Sequence, residues 1–438
     1  MNDRATVFAP EQQAVGHQID CLRRGARHLS GSALAHALTD ARARTWALVN
    51  DLTPAQWQPP IQPGVNPIAW EMAHMAWFAE FWVLRGPHQF GPNGLVTAVH
   101  PPRFAGPDAH LDSTRLPHLE RWTTPMPNAD ALKTMLDRQL EACVATLTVG
   151  EATWPVMAGD ARLDEALYFH RLALFHEDMH AEALCWLRDA LGYAPPPCVA
   201  LPICGESRAL TVRGGEVRLG SAANSAGFAF DNERPGKHVF LQDFEIDSQP
   251  VTALQFAEFV DSGGYGQRSF WPTEAGRWRS QTGNSHPSHW RRGPQGDWQM
   301  RWFDQWLALQ PGVAAMHLNA FEAEAYCLWA KRRLPTAAEW EHAAQSSQAN
   351  QTIQSGQTFN AEFNWGNSVW EWTADAFAPY PGFSAGPYRQ YSEPWFGDHR
   401  ELRGGAFATH PRMHHPHYRN FFLPTRSDIF AGFRTASL

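Results

Sequence analysis

Long apolar runs are missing from this chain of 438 residues. A membrane-spanning helix needs about 20 consecutive apolar residues, and because no such run occurs, the sequence predicts no transmembrane segment. The N-terminal segment MNDRATVFAPEQQAVGHQ also has no apolar core of the kind that a secretory signal contains. We therefore expect a cytoplasmic protein without membrane contacts.

Positive charge is also scarce, with 36 lysines and arginines against 44 acidic residues and a formal net charge of -8. Nucleic acids and anionic membranes bind to basic surfaces, so this balance argues against both as partners. The six cysteines form no Cys-x-x-Cys pair, which in a chain of this length is typical of reduced thiols. Aromatic and imidazole groups are abundant, with 20 tryptophans and 21 histidines. The histidines are therefore the first candidates for chemistry.

Helical spacing dominates the first part of the chain. Apolar residues recur every three or four positions in four segments, at 32–53, 66–85, 128–148 and 161–191. Four helices joined by connections rich in proline and glycine predict an antiparallel bundle. Gly192 and the three prolines that follow at 195–197 mark its end. The first domain is therefore predicted to cover residues 1–197.

The pattern changes after about residue 205. Short β-like stretches such as Glu216–Leu219 and His238–Ile246 alternate with glycine-rich turns. A clear helix is expected at Ala320–Lys331, and Thr336 is placed to cap a second one. The aromatic content of this half is too high for a disordered segment. Residues 205–438 are therefore predicted to form one compact α+β domain with long functional loops.

The string HEDMH at 176–180 is the strongest candidate for a site. Residues four apart on an α-helix lie about 40° apart around its axis, so both imidazoles project to one side, where they can bind one metal ion. His74, on an aromatic-rich face of the second helix, is the candidate third ligand, although a histidine packed in an apolar core is the simpler interpretation of that residue alone. Three imidazoles leave positions open for substrates and O₂ on Fe(II), and zinc also accepts three histidines.

Other polar residues near this string have simpler explanations. Glu182 lies about 200° around the helix from His180, so we expect it to pack in the bundle or to support a ligand. Glu177 and Asp178 are also turned away from the metal side, and we expect them to be solvated or capping. Four histidines of the string THPRMHHPHY are predicted to pack in a loop, although one of them is a candidate to line the pocket: His410, His414, His415 and His417.

Both halves of the chain resemble one known family. The strings WEMAHMAWFAEFWVLR and LALFHEDMHAEA are similar to the DinB-like iron-binding bundle of the ergothioneine-biosynthesis sulfoxide synthases. The second half resembles the formylglycine-generating-enzyme (sulfatase-modifying factor) fold in the strings GGEVRLGS, FDNERPGKHVFLQDFEIDSQPVTALQFAEFV, AYCLWAKRRLPTAAEWEHAA, GNSVWEWTADAF, LRGGAF and AGFR. The resemblance implies a two-domain α+β fold in which His74, His176 and His180 bind Fe(II). It further implies an O₂-dependent synthase that joins a chalcogen donor to the imidazole of hercynine (Nα-trimethylhistidine).

Two departures from the family pattern favour one branch. The ergothioneine enzymes typically read His-Glu-Gln-Gln-His, and their second glutamine helps to hold hercynine, whereas this chain has Met179 there. The enzymes that use γ-glutamylcysteine have Trp-Asp after Arg-Asn, whereas this chain has Phe421 and Phe422, and Phe422 cannot accept a hydrogen bond from an amino group. The sequences of the two helices that carry His74 and His176 are most similar to those of the selenoneine synthases, which join hercynine to a selenosugar. We expect that reaction, with a sulfoxide synthase acting on cysteine or γ-glutamylcysteine as the alternative.

The resemblance also implies a tyrosine near the iron that donates a proton or an electron. Tyr388, in PYRQYSEPWF, is the first candidate and Tyr380, in PYPGF, the second, with aromatic packing as the other explanation for each. The remaining candidates for substrate contacts are Trp82, Trp372 and Phe421 around the trimethylammonium group, Arg85 for a substrate carboxylate or a surface salt bridge, and Asn420 in the C-terminal loop.

Two other functions compete with this one. The reactive cysteine pair of the formylglycine-generating enzyme lies late in its fold, and because no cysteine follows Cys327, we exclude that chemistry. A bundle that binds zinc or has no catalytic role, fused to a ligand-binding module, is the alternative from another functional class.

Overall fold

The computed structural model describes residues 25–62, 64–91, 94–151, 161–354 and 365–438. Its first part is helical and contains α1 (Gly31–Ala47), α2 (Ile68–Ala79), α3 (Asp108–Leu111), α4 (Ala129–Glu151) and α5 (Ala161–Ala190). α1 and α2 each pack against both α4 and α5, which gives the expected four-helix bundle. In the described ranges, no helix combines the length and the apolarity that crossing a membrane requires.

The second helix of the bundle runs through the core, and all its residues from Ile68 to Ala79 are buried. It continues into a π-helical turn at Glu80–Leu84. The carboxylate of Glu80 accepts hydrogen bonds from the backbone N–H groups of Phe104 (3.1 Å) and Ala105 (2.8 Å). This contact holds the loop that leads to α3 against the end of α2, and the segment directly after α3, residues 112–114, lines the cavity described below.

The remaining chain forms small sheets and helices, as predicted for an α+β domain. Its helices are α6 (Ala253–Asp261), α7 (Thr273–Thr282), α8 (Ala320–Ala330) and α9 (Ala337–Gln354). Strands β1 (His88–Phe90) and β2 (Val96–Ala98) pair within the first part; the second contains β3 (Ala209–Val212), β4 (Gly215–Leu219), β5 (Lys237–Leu241), β6 (Phe244–Asp247), β7 (Trp290–Arg292), β8 (Trp298–Trp302), β9 (Gln305–Ala308), β10 (Trp370–Ala376), β11 (Arg400–Gly404), β12 (Asn420–Phe422) and β13 (Ala431–Gly432). Short 3₁₀ turns lie at Ala26–His28, His118–Trp122, Asp231–Glu233, Arg268–Phe270, Arg389–Tyr391, Glu393–Trp395 and Pro411–Met413.

The largest sheet has the strand order β12-β11-β10-β13, in which β13 runs parallel to β10 and the other pairs are antiparallel. The helices beside the sheets begin where their sequences supply caps. The hydroxyl of Thr336 accepts the backbone N–H of Glu339 (3.1 Å) at the start of α9, as expected. Asn319 and Glu322 form a reciprocal capping box at the start of α8.

Buried carboxylates of α5 join the bundle to the second domain. Asp178 accepts a hydrogen bond from Arg412 Nε (2.7 Å). Glu182 accepts from the indole N–H of Trp370 (2.6 Å) and from the hydroxyl of Thr409 (2.5 Å). One apolar core cluster also runs through both parts of the chain. The helix that carries two of the candidate ligands is therefore held from both domains.

Candidate active site

Three histidines of the bundle face one point. His74 on α2 and His176 and His180 on α5 have ring nitrogens that all lie within 4.8 Å of one another. The Nε2 atoms of His176 and His180 are 3.1 Å apart, because residues four apart share one face of a helix. The packing of α2 against α5 brings in the third imidazole, so the predicted set comes together in the fold.

Two of these rings, those of His74 and His180, are each oriented by a hydrogen bond. Nδ1 of His74 lies 2.7 Å from the carbonyl oxygen of Leu111, so Nδ1 carries the proton and Nε2 presents its lone pair. Nδ1 of His180 lies 2.5 Å from a carboxylate oxygen of Glu71, and Asn66 donates to the other oxygen of that carboxylate (2.8 Å). A carboxylate or carbonyl behind the imidazole is the usual support of a metal-binding histidine.

Aromatic rings fix the planes of the same imidazoles. Trp70 stacks on His74 with ring centroids 4.9 Å apart and an angle of 9° between the planes. Phe78 stacks on His176 at 3.5 Å and 4°. Because a stacked ring limits the rotation of an imidazole, the ring nitrogens of His74 and His176 are preorganised to meet one ion.

Burial favours the neutral form of two of the three imidazoles, those of His74 and His176. Burial lowers the pKa of His74 to about 3 and lowers the pKa of His176 well below its ordinary value. Burial opposes the charge of Glu71, but its hydrogen bond and charge interaction with His180 hold the pKa of this carboxyl near 2. Neutral imidazoles are the form that binds a metal ion. The donor set therefore fits a divalent transition metal.

A narrow, partly open cavity of about 20 Å³ lies next to His74. Five aromatic rings form one part of its wall: Trp77, Phe78, Phe81, Trp82 and Tyr388. Polar groups line another part, contributed by Asp112, Ser113, Thr114 and Gln390. The polar segment directly follows Leu111, whose carbonyl oxygen anchors His74. One loop therefore supports a ligand and shapes the cavity beside it.

Two of the residues predicted from the sequence lie in this cavity wall. The ring of Tyr388 stands edge-on to Phe78 at 5.0 Å and lies 6.4 Å from the ring of His176. Burial raises the pKa of its hydroxyl above the ordinary value. Trp82 stacks on Phe169 at 5.1 Å and lies 6.2 Å from Tyr388. Their roles in substrate binding and catalysis stay predictions.

The other apolar candidates lie in the second domain or pack against it. The sulfur of Met179 accepts a hydrogen bond from the hydroxyl of Tyr418 (3.4 Å). Phe421 stacks on Phe377 at 4.1 Å, and the guanidinium of Arg426 lies over the ring of Phe422 at 4.8 Å. Asn420 precedes them on β12, and its side-chain oxygen accepts the backbone N–H of Phe421 (2.8 Å).

Arg85 and Tyr380 agree with the simpler explanation given for each, a salt bridge and aromatic packing, and not with a substrate contact or a catalytic role. Arg85 is buried and forms a two-pronged ion pair with Asp108, at 2.6 and 3.0 Å, so its guanidinium is already occupied. Tyr380 accepts a hydrogen bond from Arg403 (3.3 Å) and lies under the guanidinium of Arg419 at 4.0 Å. Both are structural contacts formed by residues distant in sequence, which the local pattern did not reveal.

Trp372 also has a structural position. Its side chain is fully buried on β10, and its indole N–H donates to the carbonyl oxygen of Leu318 (2.8 Å). A tryptophan enclosed in this way packs the sheet and has no face left for a trimethylammonium group. The prediction that it surrounds the substrate is therefore corrected to a core role.

The expectation that Glu177 and Asp178 are solvated or capping was wrong. Both are buried. Glu177 pairs with Arg42 inside the bundle (2.6 Å), whereas Asp178 pairs with Arg412 across the domain boundary (2.7 Å). Helical spacing correctly predicted that both side chains point away from the metal side. It did not predict the arginines that pack against them.

The histidines near the C-terminus pack in a loop, as the simpler interpretation held. His410 accepts the backbone N–H of Arg412 (3.3 Å). His417 lies 2.7 Å from Glu341. These contacts hold together the loop that carries Arg412, the partner of Asp178.

Sequence reasoning missed Glu71 and Asp112. Glu71 precedes His74 by three residues and therefore shares its helix face, a signal that was available. Asp112 lies in the cavity wall on a loop 38 positions after His74, and no periodic pattern in the sequence predicts that position.

Comparisons with known proteins agree with this architecture. The chain matches the model of the DinB superfamily over residues 37–184 and that of the sulfatase-modifying factor enzyme 1-like domain over residues 205–368 and 363–437. It is 31% identical to the hercynine oxygenase of Mycobacterium tuberculosis over 444 aligned residues. The alignment covers 93% of this chain and 99% of that protein. The hercynine oxygenase of Mycolicibacterium smegmatis is 30% identical over 452 residues, with the same two shares of 93% and 99%.

The formylglycine-generating enzyme of Streptomyces coelicolor is 27% identical over 316 residues, which cover 56% of this chain and 95% of that protein. The similarity to the hercynine oxygenases, by contrast, extends across both domains. The resemblance found in the sequence and its two-domain α+β fold are thereby confirmed. The chain belongs to the hercynine oxygenase family.

Proposed function

We propose that this chain is a non-haem Fe(II), O₂-dependent synthase that joins a chalcogen donor to the imidazole carbon of hercynine. The observation that carries the proposal is the aromatic cavity beside the three histidines. Quaternary ammonium groups bind to the faces of tryptophan, tyrosine and phenylalanine rings, and hercynine carries such a group next to its imidazole. The similarity to two hercynine oxygenases supports the same substrate.

The roles of the residues follow from their contacts. His74, His176 and His180 would hold the iron, which when bound supplies the redox chemistry for O₂ that zinc lacks. Phe78, stacked on His176, shields that side of the site from water. Tyr388 keeps its hydroxyl proton because burial raises its pKa, so we propose it as the proton donor to the reacting groups.

We propose a selenosugar as the chalcogen donor. Two guanidinium groups near the cavity are already paired, Arg85 with Asp108 (2.6 Å) and Arg115 with Asp112 (3.0 Å), so neither is an unpaired partner for the carboxylates of an amino-acid thiol. A sugar needs hydroxyl and amide partners instead, and the cavity wall offers Ser113, Thr114 and Gln390. A thiol donor, giving a sulfoxide, is the second candidate.

The deciding experiment gives the iron-loaded protein hercynine and O₂ with one of four donors: a selenosugar, the matching thiosugar, γ-glutamylcysteine or cysteine. We expect O₂ consumption and a selenium-containing product of hercynine by mass spectrometry, with the selenosugar as the preferred donor. A preference for γ-glutamylcysteine would overturn the selenium assignment. A protein that consumes no O₂ with any donor would overturn the enzyme assignment altogether.

The proposed role of Tyr388 has its own test. Tyr388→Phe removes the hydroxyl and keeps the ring, so we expect unchanged iron binding and a fall in product formation of at least tenfold. Tyr193→Phe is the matched control, because that hydroxyl donates to the carbonyl of Gln56 (3.2 Å) at the other end of α5. Equal activities of the two variants would contradict the role.

A further inference from the structure

A second group of potential metal ligands lies where the end of α5 meets the second domain. Asp189 Oδ2 lies 3.7 Å from His289 Nε2 and 3.6 Å from His317 Nε2, and the three ligand atoms all lie within 4.8 Å of one another. Asp189 and His317 are fully buried, and the side chain of His289 is 12% exposed. We call these three residues the seam cluster. None of them belongs to the three-histidine site.

The hydrogen bonds of His317 leave a lone pair directed into this cluster. Its Nδ1 lies 3.2 Å from the carbonyl oxygen of Ser427. A carbonyl can only accept, so Nδ1 carries the proton and Nε2 is the acceptor. Within the described residues this buried Nε2 has no hydrogen-bond partner, and it faces the carboxylate of Asp189. Two buried acceptors at this distance repel each other unless a cation lies between them.

His289 directs a second lone pair to the same place. Its Nε2 lies 3.1 Å from Nη2 of Arg301 and so accepts a hydrogen bond, and the same Nη2 lies 3.2 Å from Asp189 Oδ2. The other carboxylate oxygen of Asp189 is held by the backbone N–H of Phe303 (2.7 Å). Two imidazole lone pairs and one carboxylate oxygen therefore converge, and the guanidinium serves two of the three acceptors.

A surface cleft of about 650 Å³ gives access to the cluster. His289 and Arg301 lie in its wall, together with Ala190, Trp306, Arg426 and Asp428. The side chain of Arg301 is 26% exposed, so it has room to turn out into the cleft. An ion arriving from solvent can therefore replace the guanidinium without passing through the core.

We propose that the seam cluster is a second metal site, for a divalent transition metal of the zinc class. Two imidazoles, one carboxylate and a water are a known zinc ligand set. Ligand atoms around a tetrahedral ion lie roughly 3.3 Å apart, so the observed 3.6 and 3.7 Å require shifts of a few tenths of an ångström. The rings of His289 and His317 stack at 4.0 Å and 10°, so they must also tilt on ligation. The bound ion would join α5 to the second domain.

The test titrates metal-free protein with Co²⁺, follows the visible absorption, and measures bound metal by mass spectrometry after desalting. We expect two equivalents on the wild type, one on His317→Asn, one on His176→Ala and none on the variant that combines both substitutions. His286→Gln, which replaces a histidine of the same domain outside the cluster, should keep two. A single equivalent on the wild type, or two on His317→Asn, would overturn the proposal.

A second variant and a second measurement guard against misfolding of His317→Asn. His289→Gln changes the ligand at the cleft wall, which a folded chain tolerates more readily, and it too should bind one equivalent. In the His176→Ala background, Zn²⁺ should raise the midpoint of thermal unfolding, and adding His289→Gln should remove that shift. A shift that persists without His289 would refute the site, whatever substrates the three-histidine centre uses.

Discussion

At the scale of the residue, Glu71 decides how firmly the three-histidine centre can hold an ion. Its carboxylate lies 2.5 Å from Nδ1 of His180 and receives a second hydrogen bond from Asn66. The carboxylate fixes the direction of the imidazole and makes its other nitrogen a stronger donor. A neighbouring negative charge also complements the charge of a divalent ion.

We predict that Glu71→Gln weakens metal binding about 10- to 100-fold, the usual effect of losing such a support. The amide keeps the shape and one hydrogen bond, so the thermal unfolding midpoint of the metal-free protein should change little. Competition with a chelator gives the dissociation constant directly. Glu141→Gln, an exposed position on α4, is the control, and equal dissociation constants for the two variants would contradict the role of Glu71.

His170 makes the stability of the protein depend on pH in a defined window. Burial lowers its pKa from 6.5 to about 4, so between these values the unfolded chain binds a proton that the folded chain does not. The free energy of unfolding therefore falls as the pH drops through this window, by at most about 1.4 kcal/mol per pH unit. His170→Gln lacks this contribution.

Urea unfolding of both proteins between pH 4.5 and 7.5 measures the effect. The wild type should lose stability relative to His170→Gln below about pH 6.5, and the difference should be constant above that value. Replacement of His36, which is exposed on α1, should leave the pH profile unchanged. A difference that does not vary with pH would show that His170 titrates alike in both states.

At the scale of the element, α5 carries the metal side of the bundle on one face and the domain contact on another. Asp178 lies between the two ligand histidines and is buried against Arg412. Burial raises the pKa of Asp178 to about 6 even though the guanidinium of Arg412 opposes that shift. The charge of this carboxylate therefore depends on an arginine of the other domain, and so does the packing of α5 against that domain.

We predict that Arg412→Met lowers the free energy of unfolding by roughly 3–5 kcal/mol, because it leaves a buried carboxylate unpaired. Asp178→Asn combined with Arg412→Met should recover most of that loss, since the charge is removed as well. Arg389→Met breaks an exposed pair with Glu393 and should cost less than about 1 kcal/mol. Denaturant titrations of the four proteins give these values, and equal costs for the two single arginine variants would contradict the argument.

Element boundaries were predictable where periodicity and end signals agree. The last bundle helix was expected at 161–191 and spans Ala161–Ala190, with Gly192 after it in a positive φ of 65°. The first was expected at 32–53 but ends at Ala47, because Leu48 and Leu52 continue the apolar spacing in a turn that packs on the same core. Apolar spacing records burial, and a buried turn produces it as well as a helix does.

Contacts between elements were much less predictable. The four-residue spacing brought His176 and His180 together on one face without any knowledge of the rest of the fold. Arg85 was open to two interpretations until Asp108, 23 residues later, was seen to occupy it. Pairings of this kind depend on how loops close over the helices, and no periodic pattern in the sequence encodes that closure.

At the scale of the whole molecule, the two domains share their buried charges. Arg27, before the bundle, pairs with Glu233 of the second domain, and Asp178 and Asp189 of α5 pair with Arg412 and Arg301. An isolated bundle would expose these carboxylates and the apolar surface around them. The domains are therefore expected to depend on each other for stability.

We predict a single cooperative unfolding transition for the metal-free chain. Denaturant curves followed by far-ultraviolet circular dichroism, which reports mainly the helices, and by tryptophan fluorescence should coincide. A fragment of residues 1–197 should not reproduce the helical signal of the full chain. Two separated transitions, or a fragment with its full helical content, would contradict this coupling.

The two-faced helix α5 has a consequence for recombination within the family. Exchanging the C-terminal domain between relatives is an obvious way to test the proposed donor specificity, because that domain contributes Tyr388 and Gln390 to the cavity beside His74. The inherited helix would then meet a foreign partner surface at Asp178, Glu182 and Asp189. Working chimeras will therefore need individual substitutions within α5. These three positions should come from the parent that supplies the C-terminal domain, and the ligand histidines should stay with the bundle.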